Sequence, residues 1–134
     1  MAKTEKIQNG LGTSGNSMKI MITTRGDFVS PRFDLSFEVI VATCYDQQLM
    51  EEPRSLILSE VSAEILCDLA LKEEVAIVIC GGIEKEHYQF LTWKKITVID
   101  SVIGPYVDAL QLTLDNNLES GAILPGVTSR EVAS

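Results

Sequence analysis

The residues best suited to chemistry sit in two short stretches. In one, the apolar run Val75–Ile79 ends in Cys80-Gly81-Gly82, and a helical pattern begins near Glu84. Chain that leaves a buried strand through two glycines and enters a helix presents free backbone N–H groups and a positive dipole end, which attract anions. A thiol there has its thiolate favoured, which suits metal ligation or nucleophilic attack. A free cysteine also serves often as a small buried hydrophobe. The other stretch is 25–35, which carries Arg25 and Arg32 in an acidic chain. Two guanidinium groups on one loop can grip an anion, or each can pair with a neighbouring carboxylate such as Asp27 or Asp34. His87, the sole histidine, lies one turn into the helix after the glycines. It is either a packed residue of that helix's apolar stripe or a metal ligand reaching toward the same end.

Several reaction classes lack their residues. The chain has no GxSxG, no HExxH and no GxxxxGK[ST], so nucleophile-elbow, zinc-protease and phosphate-loop chemistry are not expected. A two-metal nuclease needs clustered carboxylates, whereas the first strand, Lys19 to Thr24, carries none; Asp27, Asp34 and Asp100 read as solvated surface. Cys44 and Cys67 form no CxxC pair, which argues against a structural zinc site. The expectation is a protein without catalytic residues.

A net charge of −8 disfavours nucleic acid and anionic membrane as partners, since nothing global would neutralise phosphates. No apolar run approaches the roughly 20 residues that span a bilayer. Met1 to Ser17 lacks the apolar core of a secretory signal, and three cysteines at wide spacing fit a reducing interior. The cytoplasm is the expected compartment.

The elements that must position these groups follow from periodicity. Residues 1–17, rich in Gly, Asn, Ser and Thr, read as a disordered tail; 18–122 read as one α/β domain, and 123–134 as a C-terminal tail. Within the domain, strands are expected at 19–24, 36–45 and 48–58, with a tight turn at Asp46-Gln47. Pro53 pushes the third strand to the sheet edge. A helix capped by Ser59 or Ser62 follows to about Glu74, with Val61, Ile65, Leu66, Leu69 and Ala70 on its apolar face and Cys67 off it. The strand at 75–80 is apolar throughout and reads as buried on both faces. A helix at 84–94 presents Ile83, His87, Phe90 and Leu91, a fifth strand spans 96–102, and Gly104-Pro105 opens a last helix with Ile103, Val107, Leu110, Leu114 and Leu118 in phase. The order β-β-β-α-β-α-β-α predicts a mixed five-stranded sheet covered by helices. If the 19–24 and 75–80 strands are neighbours at its centre, loops 25–35, 80–84 and 101–105 share the carboxyl rim, where open α/β sheets bind ligands.

Three segments in this order resemble one known family. Met18-Lys19-Ile20-Met21-Ile22-Thr23, Val29-Ser30-Pro31-Arg32-Phe33 and Val78-Ile79-Cys80-Gly81-Gly82-Ile83 are similar to the dinitrogenase iron–molybdenum cofactor biosynthesis family, over about residues 18–122. The resemblance implies a ribonuclease-H-like three-layer α/β sandwich without nuclease activity. It also implies binding or transfer of an anionic iron- or molybdenum–sulfur cluster, exchanged with a donor or acceptor protein, by a monomer or weak homodimer. On this reading Arg25, Ser30, Arg32, Gly81 and Gly82 hold the cluster, with Cys80 and then His87 as candidate direct ligands. Some members carry His-Phe-Gly-Arg where this chain has Arg32-Phe33-Asp34-Leu35, so Arg32 occupies the place of a ligand histidine. The alternative is a non-catalytic interaction or regulatory module that kept the fold and lost the cluster.

Overall fold

The computed structural model describes residues 17–125 of the 134-residue chain. The expected tails lie outside the described residues, apart from Ser17 and 123–125. The strands are β1 (Ser17–Arg25), β2 (Phe28–Val29), β3 (Glu38–Tyr45), β4 (Gln48–Leu49), β5 (Arg54–Ile57), β6 (Ile77–Ile79) and β7 (Thr97–Ile99). The helices are α1 (Ala63–Lys72), α2 (Lys85–Trp93) and α3 (Tyr106–Leu114), with a single 3-10 turn at Phe33–Leu35.

The described strands form one seven-stranded mixed sheet with the path β4-β3-β1-β6-β7; β2 pairs with β1, and β5 pairs with β3. β1 is the hinge of the topology. It runs antiparallel to β3, with Met21 opposite Val41, and parallel to β6, with Ile20 opposite Ile77 and Ile22 opposite Ile79. β7 extends the parallel half, with Val78 beside Val98. The expected adjacency of the first strand and the Val75–Cys80 strand therefore holds.

Side chains alternate across the sheet into two cores. Met21, Val39, Val41, Val78, Cys80 and Val98 meet α1 and α2 through Leu66, Cys67, Ala70 and Leu91. Ile20, Ile22, Ile40, Ala42, Cys44 and Ile79 face α3 through Ala109, Leu110 and Leu114. Helices thus cover both faces, which is why β1 and β6 read as unbroken apolar runs rather than alternating ones.

Several expected boundaries move. The 48–58 strand is broken into β4 and β5, because Glu51-Glu52-Pro53 interrupts pairing and Pro53 lacks a ladder N–H. That break, with the short β2 hairpin inside the expected 25–35 loop, raises the strand count from five to seven. Asp46 and Gln47 form the expected tight turn, both with positive φ (56° and 69°), the left-handed pair that a two-residue hairpin demands. Ser62, not Ser59, caps α1: its hydroxyl accepts from the Ile65 N–H at 3.2 Å. Cys67 lies on the buried face of α1 and Val61 is exposed, so the stripe is Ala63, Leu66, Cys67 and Ala70. α3 ends at Leu114, and Asn116 turns left-handed (φ 61°). Its buried stripe is Ala109, Leu110, Thr113 and Leu114, while Ile103 and Val107 are exposed. The chain beyond Gly121 also packs. Ile103 donates to Ala122 O, Leu124 donates to Ile103 O (both 2.9 Å), and Leu124 is 2 % exposed against α3's core. The domain therefore extends at least to Leu124.

Candidate functional site

The carboxyl ends of the parallel strands β1, β6 and β7 bring three loops to one rim, and main-chain hydrogen bonds join them. Ser30 N–H donates to Thr23 O (2.9 Å), Gly82 N–H to Pro31 O (2.8 Å) and Phe33 N–H to Gly82 O (2.8 Å). On the other side, Ser101 N–H donates to Gly81 O (2.9 Å) and Val102 N–H to Cys80 O (3.1 Å). The third seam joins the β1–β2 turn to the start of α3: Val29 N–H donates to Gly104 O (2.9 Å) and Tyr106 N–H to Asp27 O (3.0 Å). A shallow cavity of about 270 Å³ opens between these loops, lined by Pro31, Gly81, Gly82, Ser101, Val102 and Ile103.

Gly81 makes this junction possible. A Cβ there would lie 2.5 Å from the Pro31 carbonyl oxygen and closer still to that of Ser30, so only glycine fits. At Gly82 the nearest atom to an added Cβ would be Pro31 O at 3.5 Å, an ordinary contact. The two glycines serve different ends: one admits the neighbouring loop, the other bonds to it. Because the Gly82 N–H is taken by Pro31, it is not a free donor for an anion, contrary to the sequence expectation.

Cys80 faces away from the rim. It is fully buried among Met21, Phe33, Val78 and Leu91, and burial, with a smaller contribution from Asp100, pushes its thiol up to about 12. A thiol in that setting is protonated at neutral pH and has no open path to a metal, so Cys80 does not fit the role of cluster ligand. Burial likewise raises Cys67 to about 11, assisted by Asp68 and Glu64, and raises Cys44.

Arg32 takes the carboxylate-paired alternative. Its Nε donates to Asp34 Oδ1 at 2.9 Å and its second guanidinium nitrogen to Asp34 Oδ2 at 2.7 Å. This two-point hydrogen bond raises the guanidinium's pKa and lowers that of the Asp34 carboxyl. Arg25 is exposed and forms no ion pair among the described residues. Ser30 is buried, and its hydroxyl is engaged with Ser36: Ser36 Oγ lies 2.7 Å from it and donates to Arg32 O at 2.6 Å. That pair braces the loop and presents no hydroxyl to a ligand. Beneath the rim, the Thr23 hydroxyl is buried with no hydrogen-bond partner among the described residues.

His87 lies on the α2 side of the same loop, with its ring centroid 6.2 Å from that of Phe33. The sequence reading did not single out its neighbours Glu84 and Glu86, whose carboxylates converge with the imidazole to within 4.8 Å. The E-K-E-H order at a helix start was the available signal. A groove of about 450 Å³ between α1 and α2 adjoins them, lined by Glu64, Cys67, Asp68, Glu86, His87 and Phe90.

No protein-family profile and no curated protein matches the sequence. Among solved structures, PH0822 superposes with a TM-score of 0.70 at 17 % identity, covering 77 % of this chain and 94 % of that one. A Methanocaldococcus jannaschii protein provisionally named a dinitrogenase (MJ0327) gives 0.62 at 23 % identity, covering 77 % and 93 %. A Thermotoga protein provisionally named a NifB protein of the DUF35 family (TM1290) gives 0.58 at 14 % identity, covering 80 % and 97 %. At these identities the likeness establishes a shared fold across nearly the whole of each relative.

Proposed function

We propose that this chain is a small non-catalytic carrier for an anionic iron- or molybdenum–sulfur cluster or its precursor, on a ribonuclease-H-like scaffold related to nitrogenase cofactor biosynthesis. The observation that carries the reading is the rim: three loops pre-assembled by main-chain bonds at the carboxyl ends of parallel strands, where such sheets take ligands. Two relatives of the same fold bear dinitrogenase and NifB names, which supports the class of cargo.

In this reading the cargo is gripped by charge and hydrogen bonding, without thiolate ligation. Arg25, which forms no ion pair among the described residues, supplies positive charge, and Arg32 contributes when Asp34 yields its two hydrogen bonds to the incoming anion. The cavity wall from Gly81 to Ile103 sets the shape. A donor or acceptor protein would exchange the cluster in the cytoplasm, with the carrier a monomer or weak homodimer.

Anaerobic reconstitution with ferrous iron, sulfide and thiomolybdate tests the reading. The native chain is expected to gain charge-transfer absorption, Arg25→Ala with Arg32→Ala to lose most of it, and Cys80→Ala to keep it. Absence of new absorption in the native chain, or its loss in a folded Cys80→Ala variant, overturns this assignment.

A second reading rests on the far side of the sheet. β5 pairs only with β3 among the described residues, and Ile57, Leu35 and Phe37 nearby are exposed (70 %, 49 % and 47 %). An open edge beside apolar side chains suits strand addition by a protein partner. A stable metal-free complex, lost on Ile57→Lys, would favour this interaction-module reading over the carrier.

A further inference from the structure

We infer that Glu84, Glu86 and His87 form a binding site for a single divalent transition-metal cation at the start of α2, separate from the rim and independent of any cluster it carries. The three side chains offer one imidazole nitrogen and two carboxylate oxygens, all within 4.8 Å of one another. Glu84 and His87 stand three residues apart and so share a helix face; Glu84 Oε1 lies 3.7 Å from His87 Nε2.

The two carboxylates alone have an ordinary explanation, since acids at a helix amino terminus complement the macrodipole. The imidazole does not share it. His87 is 9 % exposed, it lines the α1–α2 groove, and its ring makes no hydrogen bond among the described residues. Its contact with Glu84 is too long for one. The imidazole nitrogens are not among the fully buried side-chain atoms that lack a partner, so they keep contact with solvent, and a cation entering from the groove can reach them between the two carboxylates.

The donor set indicates the ion. Imidazole with carboxylates suits zinc, ferrous iron or cobalt, whereas magnesium and calcium prefer oxygen alone. Two carboxylates and a neutral imidazole carry two negative charges, which one divalent ion neutralises. With metal–ligand bonds of about 2.0–2.2 Å, ligand atoms stand roughly 3.4 Å apart around a tetrahedral ion. The trio must close by up to about 1.4 Å, which rotation of the exposed Glu84 and Glu86 side chains can supply while His87 stays fixed. Glu86 and His87 also line the groove, whose other wall carries Glu64, Cys67 and Asp68, so a fourth ligand could enter from there. This is the arrangement of three protein ligands and one open place that takes a water or an exchangeable group.

The test uses the full chain, freed of any affinity tag and of metal by chelation, titrated with cobalt(II) and then with competing zinc(II). One equivalent of cobalt is expected to give visible d–d absorption, which zinc abolishes. Glu84→Gln with Glu86→Gln, both on the surface and compatible with folding, is expected to weaken binding at least about tenfold, as is His87→Gln if circular dichroism shows it folded. Unchanged affinity in the glutamine pair, no saturable binding by the native chain, or a cobalt–thiolate band placing the ion on Cys67 would each overturn the assignment. A failed cluster reconstitution leaves this result untouched, since cobalt and zinc binding need neither sulfide nor the rim arginines.

Discussion

Replacing Gly81 by alanine tests whether the rim is a close-packed junction or a loose meeting of loops. The added methyl would meet the Pro31 carbonyl oxygen at 2.5 Å, so the 30–33 loop must retreat by about 1 Å to regain ordinary contact. The atoms in its way are backbone, so no side-chain rotation relieves the clash. Retreat also stretches the Gly82-to-Pro31 and Phe33-to-Gly82 hydrogen bonds (2.8 Å each). Overpacking of this kind costs about 1–3 kcal/mol, and two weakened hydrogen bonds add about 1 kcal/mol, for an expected loss near 3 kcal/mol. Gly82→Ala is the control, because its methyl would sit 3.5 Å from Pro31 O and should cost under about 1 kcal/mol. Urea unfolding followed by far-ultraviolet circular dichroism measures both. The expectation is a lower midpoint for Gly81→Ala with an unchanged slope, since the unfolded chain exposes the same surface. Equal midpoints for the two variants would refute the argument from close approach.

Other expected outcomes follow from burial and charge. Cys44, Cys67 and Cys80 are all buried with raised thiol pKa values, so native protein at pH 8 should react with a disulfide reagent only at the rate of transient opening, and unfolded protein at once; a fast native equivalent would contradict the core placement of Cys80. Leu124→Ala should cost about 2–4 kcal/mol, measured by thermal or urea unfolding, whereas a residue in a loose tail would cost almost nothing. Glu73 is held below the ordinary carboxylate range chiefly by a hydrogen bond from Arg54, against burial and with help from Lys19. A depressed folded pKa contributes stability above the unfolded value near 4.5, and that stability disappears as pH falls through the folded value. With Lys19 and Arg54 partly exposed, the contribution is about 0.5–1 kcal/mol. Glu73→Gln should lose that amount at pH 7 and show a flatter decline below pH 4.5; an identical acid limb would exclude Glu73 as its source.

Much of the fold was legible because both faces of the sheet are covered. β1 and β6 announce themselves as apolar runs; element order permits their adjacency without fixing it, and once they pair the three rim loops share one end of the sheet. The same double coverage hid the direction of Cys80: with a core on each face, every residue at that place is buried, and only parity with Val78 says that it points toward α1 and α2. The break in the third strand was written in Glu51-Glu52-Pro53, where acids and a missing N–H leave an edge unpaired. Leu124 gave no signal, since a lone leucine after a helix has no period; its partner is the backbone at Gly104, twenty residues earlier, where an added Cβ would strike its side chain at 2.7 Å. At the site, Arg32 and Asp34 stand two apart, so both alternatives were visible and only geometry chose the ion pair. The convergence of Glu84, Glu86 and His87 depends on how a helix start turns, which composition does not fix.

The rim's seams are peptide-to-peptide, and this has a consequence for how such proteins diversify. Outside Gly81 and Gly104, the loops are joined through main-chain atoms, so Arg25, Arg32, Asp34, Ser101 and Ile103 carry little of the burden of holding the junction. Their side chains are free to drift without unravelling the scaffold, so an exchange of Arg32 would change the chemistry displayed at the rim while leaving its main-chain seams in place. The architecture is a socket whose outward-facing side chains can be rewired one at a time while the main chain keeps its shape.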